Sequence, residues 1–390
     1  MIQFQQRFLQ RGLGLMKKGG CLLLVLALAL AFALPAGARD DKFSMSYIYF
    51  GESSEYEKLV SRTQDSLDEV APAYFSLSPQ GDLALTPAVS ADFVAKMHEE
   101  GLLVVPYLTN DWVRETGVAA LENMDRLTTE LAAAVSKYNL DGVNLDIENV
   151  TEAQRDDYVA FVRLLRARLP AGKRIAAAVC ANPYGQTTGW AGSCDYAGLA
   201  ASCDYLMLMA YDESYAGSAP GPVASISFVE RSIQYALRQA PKEKIVLGLP
   251  FYGRIWSTGG GSVQGSGVSD EMIESLLADY GGKATFDKAS QTARAAVTVR
   301  AGDRKPVIYG QTLSAGTYDI WYSNEQALKA ELALVTKYDL KGAGSWSLGQ
   351  ESAQTWEYYK LWLNGCTFSD VQGLWAGDAV LTAYLNGWME

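Results

Sequence analysis

The chain has 390 residues, 49% of them hydrophobic and 20% charged, the balance of a folded protein and not of a disordered one. Its single histidine, His98, sits in Met97-His98-Glu99-Glu100-Gly101, which reads as the exposed end of a helix. That placement excludes a Ser-His-Asp triad, a His-paired thiol and a multi-histidine zinc site, so any catalysis has to run on carboxylates, tyrosines or lysines.

Arg7, Arg11, Lys17 and Lys18 precede an apolar run over residues 21–34, and Ala36-Gly37-Ala38 follows as a small-x-small cleavage site. This is the pattern of a secretory signal peptide over residues 1–38, with an apolar run short for a spanning helix. Cys21 stands at the start of that run, where a lipoprotein cysteine would stand at its end, so no stable membrane anchor is expected after cleavage. Cleavage removes four of the 33 basic residues and no acidic one, leaving 29 against 44, a formal charge of −15. Such a surface repels nucleic acid and anionic lipid, and neither is an expected partner. Four cysteines remain, Cys180, Cys194, Cys203 and Cys366. Cys194 and Cys203 are the nearest in sequence, but three connectivities are open, and the spacing matches no metal motif.

Beyond the leader, short apolar β-rich runs at 43–50, 71–76, 102–108, 142–148, 175–179, 205–211, 245–250 and 342–348 alternate with helical patterns such as 121–138, 152–168, 228–240 and 324–338. Uniformly apolar strands alternating with helices argue for a parallel sheet covered on both faces. Eight such units over about 320 residues fit a (β/α)8 barrel, which takes about 250 residues before insertions. The excess falls at about 257–320, a Gly-rich and polar stretch that reads as a small α+β insertion between strands seven and eight. A doubly wound open sheet is the rival, but Gly51-Glu52-Ser53 after the first strand is no phosphate-binding loop.

The informative segment is Asp141-Gly142-Val143-Asn144-Leu145-Asp146-Ile147-Glu148. Strand side chains alternate, so Asn144, Asp146 and Glu148 share the barrel-interior face while Val143, Leu145 and Ile147 face the helices. Asp141 has the other parity and precedes the strand, which gives it a structural role. Burying three polar groups costs several kcal/mol unless they are hydrogen-bonded or functional. Glu148 ends the strand at the C-terminal mouth, where barrel enzymes keep their active sites. Crowding two carboxylates should raise the pKa of one, as a general acid at neutral pH requires. The pattern fits acid/base chemistry in a barrel mouth; it also fits a structural polar ladder or an ion-binding carboxylate pair.

The same residues resemble the signature strand of glycoside hydrolase family 18, D-G-x-[DN]-x-D-x-E. Met209-Ala210-Tyr211-Asp212, Gly248-Leu249-Pro250-Phe251-Tyr252-Gly253-Arg254 and Gly344-Ser345-Trp346-Ser347-Leu348-Gly349 resemble that family's strand ends six, seven and eight. The resemblance covers roughly residues 43–363. Tyr211-Asp212-Glu213 with the Gly- and Pro-containing stretch 217–225 is similar to a branch of bacterial cell-wall glucosaminidases related to spore-cortex-lytic enzymes. That branch often carries N-terminal LysM modules, and here the barrel follows the leader directly.

The resemblance implies retaining hydrolysis of the bond after an N-acetylhexosamine, with the substrate's own acetamido oxygen as nucleophile. Glu148 would protonate the leaving oxygen and later activate water. Asp146 would hold the acetamido N–H and stabilise the oxazolinium-like intermediate, and Tyr211 would hydrogen-bond the acetamido oxygen for in-line attack. Asn144, where many members have aspartate, would hold Asp146 by a hydrogen bond without sharing a proton. Trp346 would floor the −1 sugar, with Asp212 and Tyr252 lining that subsite, and Asn110 is a further substrate-binding candidate that could equally be a turn residue. No metal and no organic cofactor are implied.

Residues 365–390 form a tail whose Phe368-Ser369-Asp370-Val371, Leu374-Trp375-Ala376 and Leu385-Asn386-Gly387-Trp388 resemble the first half of an S-layer homology module. Residue by residue the tail is a turn plus one amphipathic helix, and a half-copy implies at most weak cell-wall association. The expectation is therefore a secreted or wall-located glycosidase over residues 39–364 cleaving β-1,4 bonds at N-acetylglucosamine in peptidoglycan. The rivals are a chitinase or endo-N-acetylglucosaminidase on chitin-like glycans, and a non-catalytic sugar-binding wall protein. Few runs of aromatics suggest the long processive groove of a chitinase.

Overall fold

The computed structural model describes residues 41–258 and 263–389. The expected leader, Cys21 included, lies outside them. The described chain falls into two compact units, Lys42–Thr367 and one that holds the residues from Phe368 onward. Among the described residues no helix is long and apolar enough to cross a membrane.

The larger unit is a parallel barrel ringed by helices. Phe43–Ile48 pairs with Gly342–Trp346 on one side and Glu69–Pro72 on the other. The second and third strands are each interrupted. Glu69–Pro72 pairs with Leu103–Val104, and after two residues in each strand Phe75–Leu77 pairs with Tyr107–Thr109. Pro106 has no N–H to give the ladder, which accounts for the lapse in the third strand. The apolar pattern runs across both gaps, so the sequence reads 71–76 and 102–108 as unbroken. Pairing continues from Tyr107–Thr109 through Gly142–Asp146, Arg174–Cys180, Tyr205–Met209 and Ile245–Pro250 back to Gly342–Trp346, completing the ring.

The alternation along the fourth strand sorts as expected. Val143, Leu145 and Ile147 join Tyr158, Phe161 and Val162 in the core beneath the helices. A separate inner core of Met45, Tyr47, Tyr107, Tyr205 and Met207 fills the barrel. The helices start where a side chain satisfies an orphan N–H: Ser90 accepts from Phe93, Ser225 from Phe228 and Asn324 from Ala327. The stretch 121–138 is not one helix but Arg114–Glu122 and Met124–Lys137, parted at Asn123, whose Nδ2 donates to Asp82 Oδ1 at 2.8 Å.

His98 is only partly exposed, contrary to the sequence reading. Its Nε2 lies 2.7 Å from Asp141 Oδ2, which also accepts the Val104 N–H at 2.9 Å. Asp141 thus ties a helix and the third strand to the base of the fourth, which is the structural role its parity suggests.

The insertion is α+β, as expected, but wider. It starts at Tyr252, directly after the seventh strand, and runs to Tyr322. Five antiparallel strands in the order Gln264–Ser269, Tyr252–Ser257, Gly316–Tyr322, Thr292–Val299, Lys283–Asp287 carry the helix Asp270–Tyr280 over a core that includes Ile255, Val268, Ile273 and Ile320. Tyr252-Gly253-Arg254 looks like the tail of the seventh strand in sequence, yet the backbone changes sheets there. The hairpin Val307–Ile308/Gln311–Thr312 turns through Tyr309 and Gly310.

The second unit has the expected turn and helix, Gly377–Leu385. Phe368 and Tyr384 meet edge to face at 6.1 Å, while Trp375 is 96% exposed.

Candidate active site

At the C-terminal mouth of the barrel a cavity of about 850 Å³ opens, lined by Asp146, Glu148, Tyr211, Asp212, Tyr252 and Trp346 among others. Six of the eight residues singled out in sequence therefore meet in one place, although they come from strand ends four, six and eight and from the insertion.

Asp146 is the last residue of its strand and 6% exposed, and its Oδ1 has no hydrogen-bond partner. Glu148 lies two residues past the strand rather than on it. Both carboxyls titrate well above the ordinary range. For both the first cause is burial; the negative charge of Asp111 adds to it at Asp146, and those of Asp146 and Asp212 at Glu148. Mutual crowding, the cause expected from sequence, is thus the lesser contribution. The mouth holds a carboxyl that stays protonated near neutrality, which is what a general acid needs.

Asn144 and Asn110 lie outside the cavity. Asn144 is fully buried one layer deeper, where its Oδ1 accepts from the Tyr47 hydroxyl at 3.3 Å. Its Nδ2 has no partner, so the expected hydrogen bond to Asp146 is not formed. Asn110 is buried behind Glu148 and grips its main chain. It accepts the Glu148 N–H at 2.8 Å and donates to the Glu148 carbonyl at 2.9 Å and to the Val113 carbonyl at 2.8 Å. Its side chain holds the Glu148 main chain and does not line the cavity.

Asp212 is held in a fork. Arg254 donates to it through Nε at 2.8 Å and Nη2 at 2.6 Å, and the Tyr252 hydroxyl donates at 2.6 Å. A bidentate guanidinium fixes the plane of the carboxylate as well as its charge. Tyr211 stands beside this group, 6.2 Å from the Tyr252 ring, with its phenol kept neutral by burial. Gly248 makes room for it: a Cβ there would sit 3.0 Å from the Tyr211 ring and 2.6 Å from the Leu208 carbonyl. Trp346 rests on Tyr47, Tyr49 and Tyr107 at centroid distances of 5.2, 5.5 and 5.9 Å, above the barrel plug. Gly344 leaves the space below, since a Cβ would meet Met45 Sδ at 2.6 Å.

Several site residues escaped the sequence reading. Arg254 lay inside a recognised motif, but its partner Asp212 is 42 residues away. Phe50, Trp112, Trp190, Tyr215 and Tyr309 also line the cavity. Trp112 and Trp190 meet edge to face at 4.9 Å, and Phe50 and Tyr309 stack at 5.0 Å. The groove is therefore aromatic after all. Each ring comes from a different loop, so no run in the sequence announces it. Trp112 and Tyr309 have φ of 64° and 45°, left-handed backbone that costs about 1–2 kcal/mol for such residues, and Asp212, at 57°, is of a type that takes it more readily. Asn149, at 59°, is less strained and braces Trp112, donating from Nδ2 to its carbonyl at 2.9 Å.

Glycosyl hydrolases family 18 matches residues 46–351. YdhD of Bacillus subtilis, which carries the name of a sporulation-specific glycosylase, is 28% identical over 333 residues, spanning 81% of this chain and 76% of that protein. The cortical fragment-lytic enzyme of Bacillus anthracis is 21% identical over 83% of this chain and 75% of its own length. Among solved structures, the chitinase of Chromobacterium violaceum superposes with a TM-score of 0.72 at 23% identity, covering 83% of this chain and 99% of that one. The spore cortex-lytic enzyme SleL of Bacillus cereus superposes with 0.69 at 20% identity, covering 84% and 76%.

Proposed function

The chain belongs to glycosyl hydrolases family 18, and from that premise we propose that it is a secreted enzyme cleaving β-1,4 bonds after N-acetylglucosamine in peptidoglycan. The observation that carries the reading is the Asp146–Glu148 pair at the barrel mouth, the first buried and the second half-buried and held by its main chain at the cavity edge. Relatives named as cortical fragment-lytic enzymes support the choice of glycan.

In this mechanism Glu148, protonated at rest, gives its proton to the leaving glycosidic oxygen. The substrate's acetamido oxygen attacks the anomeric carbon from the other face, so no enzyme carboxylate forms a bond to sugar. Asp146, with an unpartnered Oδ1, accepts the acetamido N–H and takes up the positive charge as the oxazolinium forms. The Tyr211 hydroxyl donates to the acetamido oxygen and fixes its line of attack. Glu148, now ionised, draws a proton from water that opens the ring with net retention. Trp346 stacks under the −1 sugar, and the Asp212–Arg254–Tyr252 fork offers fixed polar groups to its hydroxyls. The exposed tail tryptophan, Trp375, suits weak contact with the wall.

Purified peptidoglycan digested by the mature chain should release fragments with reduced N-acetylglucosamine ends after borohydride treatment, read by mass spectrometry. Glu148→Gln should lower that rate about 10²–10⁴-fold. No cleavage by the wild type would sink the peptidoglycan reading. The aromatic groove then favours the second reading, hydrolysis of chitin-type oligomers, by the same residues.

A further inference from the structure

Two of the four cysteines are neighbours in space, and they are not the pair closest in sequence. Cys180 and Cys194 are buried, 0% and 6% exposed, with sulfurs 3.2 Å apart. Cys203 and Cys366 are each buried elsewhere in the fold. Cys180 is the last residue of the fifth strand, and Cys194 follows the short helix Gly189–Ser193. Between them the chain leaves the barrel as a loop, exposed at its tip over residues 184–189, and returns carrying Trp190 into the wall of the cavity.

Both sulfur-bearing positions are anchored. The Tyr196 hydroxyl donates to the Cys180 carbonyl, and Arg155 donates to the carbonyls of Gly192 and Cys194 at 3.1 and 3.2 Å. A disulfide needs a sulfur–sulfur distance of about 2.05 Å, so closure asks for a shift of little more than about 1 Å. The Trp190 carbonyl itself lies 3.7 Å from the Cys180 sulfur, which places the pair directly beneath the groove wall.

We propose that Cys180 and Cys194 form a disulfide that pins the Trp190 loop to the barrel and so holds one wall of the glycan groove. The oxidant is a disulfide-bearing partner of the small-molecule or protein dithiol class. In the still-open chain one thiol of the pair, such as Cys194, ionises and becomes the nucleophile. Its thiolate attacks one sulfur of the oxidant to give a mixed disulfide, and the oxidant's other sulfur leaves as a thiolate. Cys180, deprotonated, then attacks the Cys194 sulfur and expels the second thiolate. Two protons and two electrons pass from the cysteine pair to the oxidant, which departs as two thiols. The exchange takes place while the chain folds, before the loop covers the sulfurs.

The disulfide stands independently of the proposed function; its effect on the groove rests on it. The test begins with the mature chain, reduced and unfolded, then refolded in a mixture of reduced and oxidised glutathione, quenched, and unfolded again in guanidinium with iodoacetamide so that every remaining thiol is alkylated. Peptide mapping should find Cys180 joined to Cys194, with Cys203 and Cys366 alkylated. Four alkylated cysteines, or a bond between any other pair, would overturn the proposal. Reduction of the oxidised protein with dithiothreitol should lower Tm by about 5 °C, as expected for opening a loop of about 15 residues. On a cleavable glycan, reduction should raise KM by about 2–5-fold with kcat nearly unchanged, because Trp190 binds sugar and takes no part in proton transfer. An unchanged KM would refute the link to the groove wall. Were no glycan cleaved at all, the peptide map would still decide the pairing.

Discussion

Glu148 and Asp146 share a property that opposes folding. Each has a pKa raised by burial, so each is neutral at little cost at low pH and carries a burial penalty once ionised. For a carboxyl raised in the folded state, the unfolded chain releases its proton first as pH rises. Stability is therefore lost between the ordinary carboxyl pKa and the raised one. Glu148→Gln, which removes the charge and keeps the shape, should stabilise the protein at pH 7 by an amount on the order of 1–3 kcal/mol. The gain should fade to nothing towards pH 4, and thermal melts of the two proteins across that range check it. A gain over the wild type no larger at pH 7 than at pH 4 would mean that the acid is ionised at rest. These two residues were legible in the sequence because a period of two puts acids on the face opposite Val143, Leu145 and Ile147. Asn144 obeys the same period, but depth along the barrel axis, which the alternation does not encode, makes it a partner of Tyr47.

Among the elements, the loops after strands three and four act as a pair. Asn110 binds both main-chain polar groups of Glu148, and Arg114 donates from Nε to the Asn149 carbonyl at 2.7 Å, so the segment bearing the acid is braced from the neighbouring loop. Asn110→Ala would leave the buried Glu148 N–H without its acceptor, costing about 1–3 kcal/mol of stability. It should also lower kcat by at least about tenfold as the acid drifts, with KM changing less. Steady-state kinetics with a melt on the same preparation reads both, and an unchanged kcat would show that Glu148 needs no brace. In sequence Asn110 is only an asparagine beyond a strand, since Glu148, whose main chain it holds, lies 38 residues on. The strand breaks at Pro106 and after Pro72 escaped notice for a related reason. A hydrophobic pattern records which face is buried, and both halves of each strand bury the same face.

Over the whole molecule the barrel and its alternation were readable and the groove was not. Eight apolar strands recur in order, and the insertion betrays itself as surplus length between the seventh and the eighth. Phe50, Trp112, Trp190, Tyr215 and Tyr309 converge only when the barrel closes, and each alone is an ordinary loop aromatic. Tyr309 is the insertion's contribution, stacked on Phe50 and donating to Gln350 Oε1 at 3.2 Å. Tyr309→Ala should raise KM for oligosaccharides by about 5–10-fold at nearly constant kcat, the size of a lost sugar–aromatic contact of about 1 kcal/mol. Kinetics on a ladder of oligomer lengths measures it, and an effect on kcat alone would place Tyr309 outside the binding groove.

The first strand pairs with the eighth, Phe43 opposite Gly342 and Ser46 opposite Ser345, so the seam of the barrel joins residues about 300 positions apart. Contacts of such long range are slow to form, because the loop-closure entropy must be met before they stabilise anything. A chain made from its N-terminus holds the edge of Phe43–Ile48 open until the last strand of the ring has emerged. That last strand carries Trp346, the floor of the cavity. Closure of the ring and completion of the sugar platform are thus a single event, and a partly synthesised or partly folded barrel has no site at which to cut.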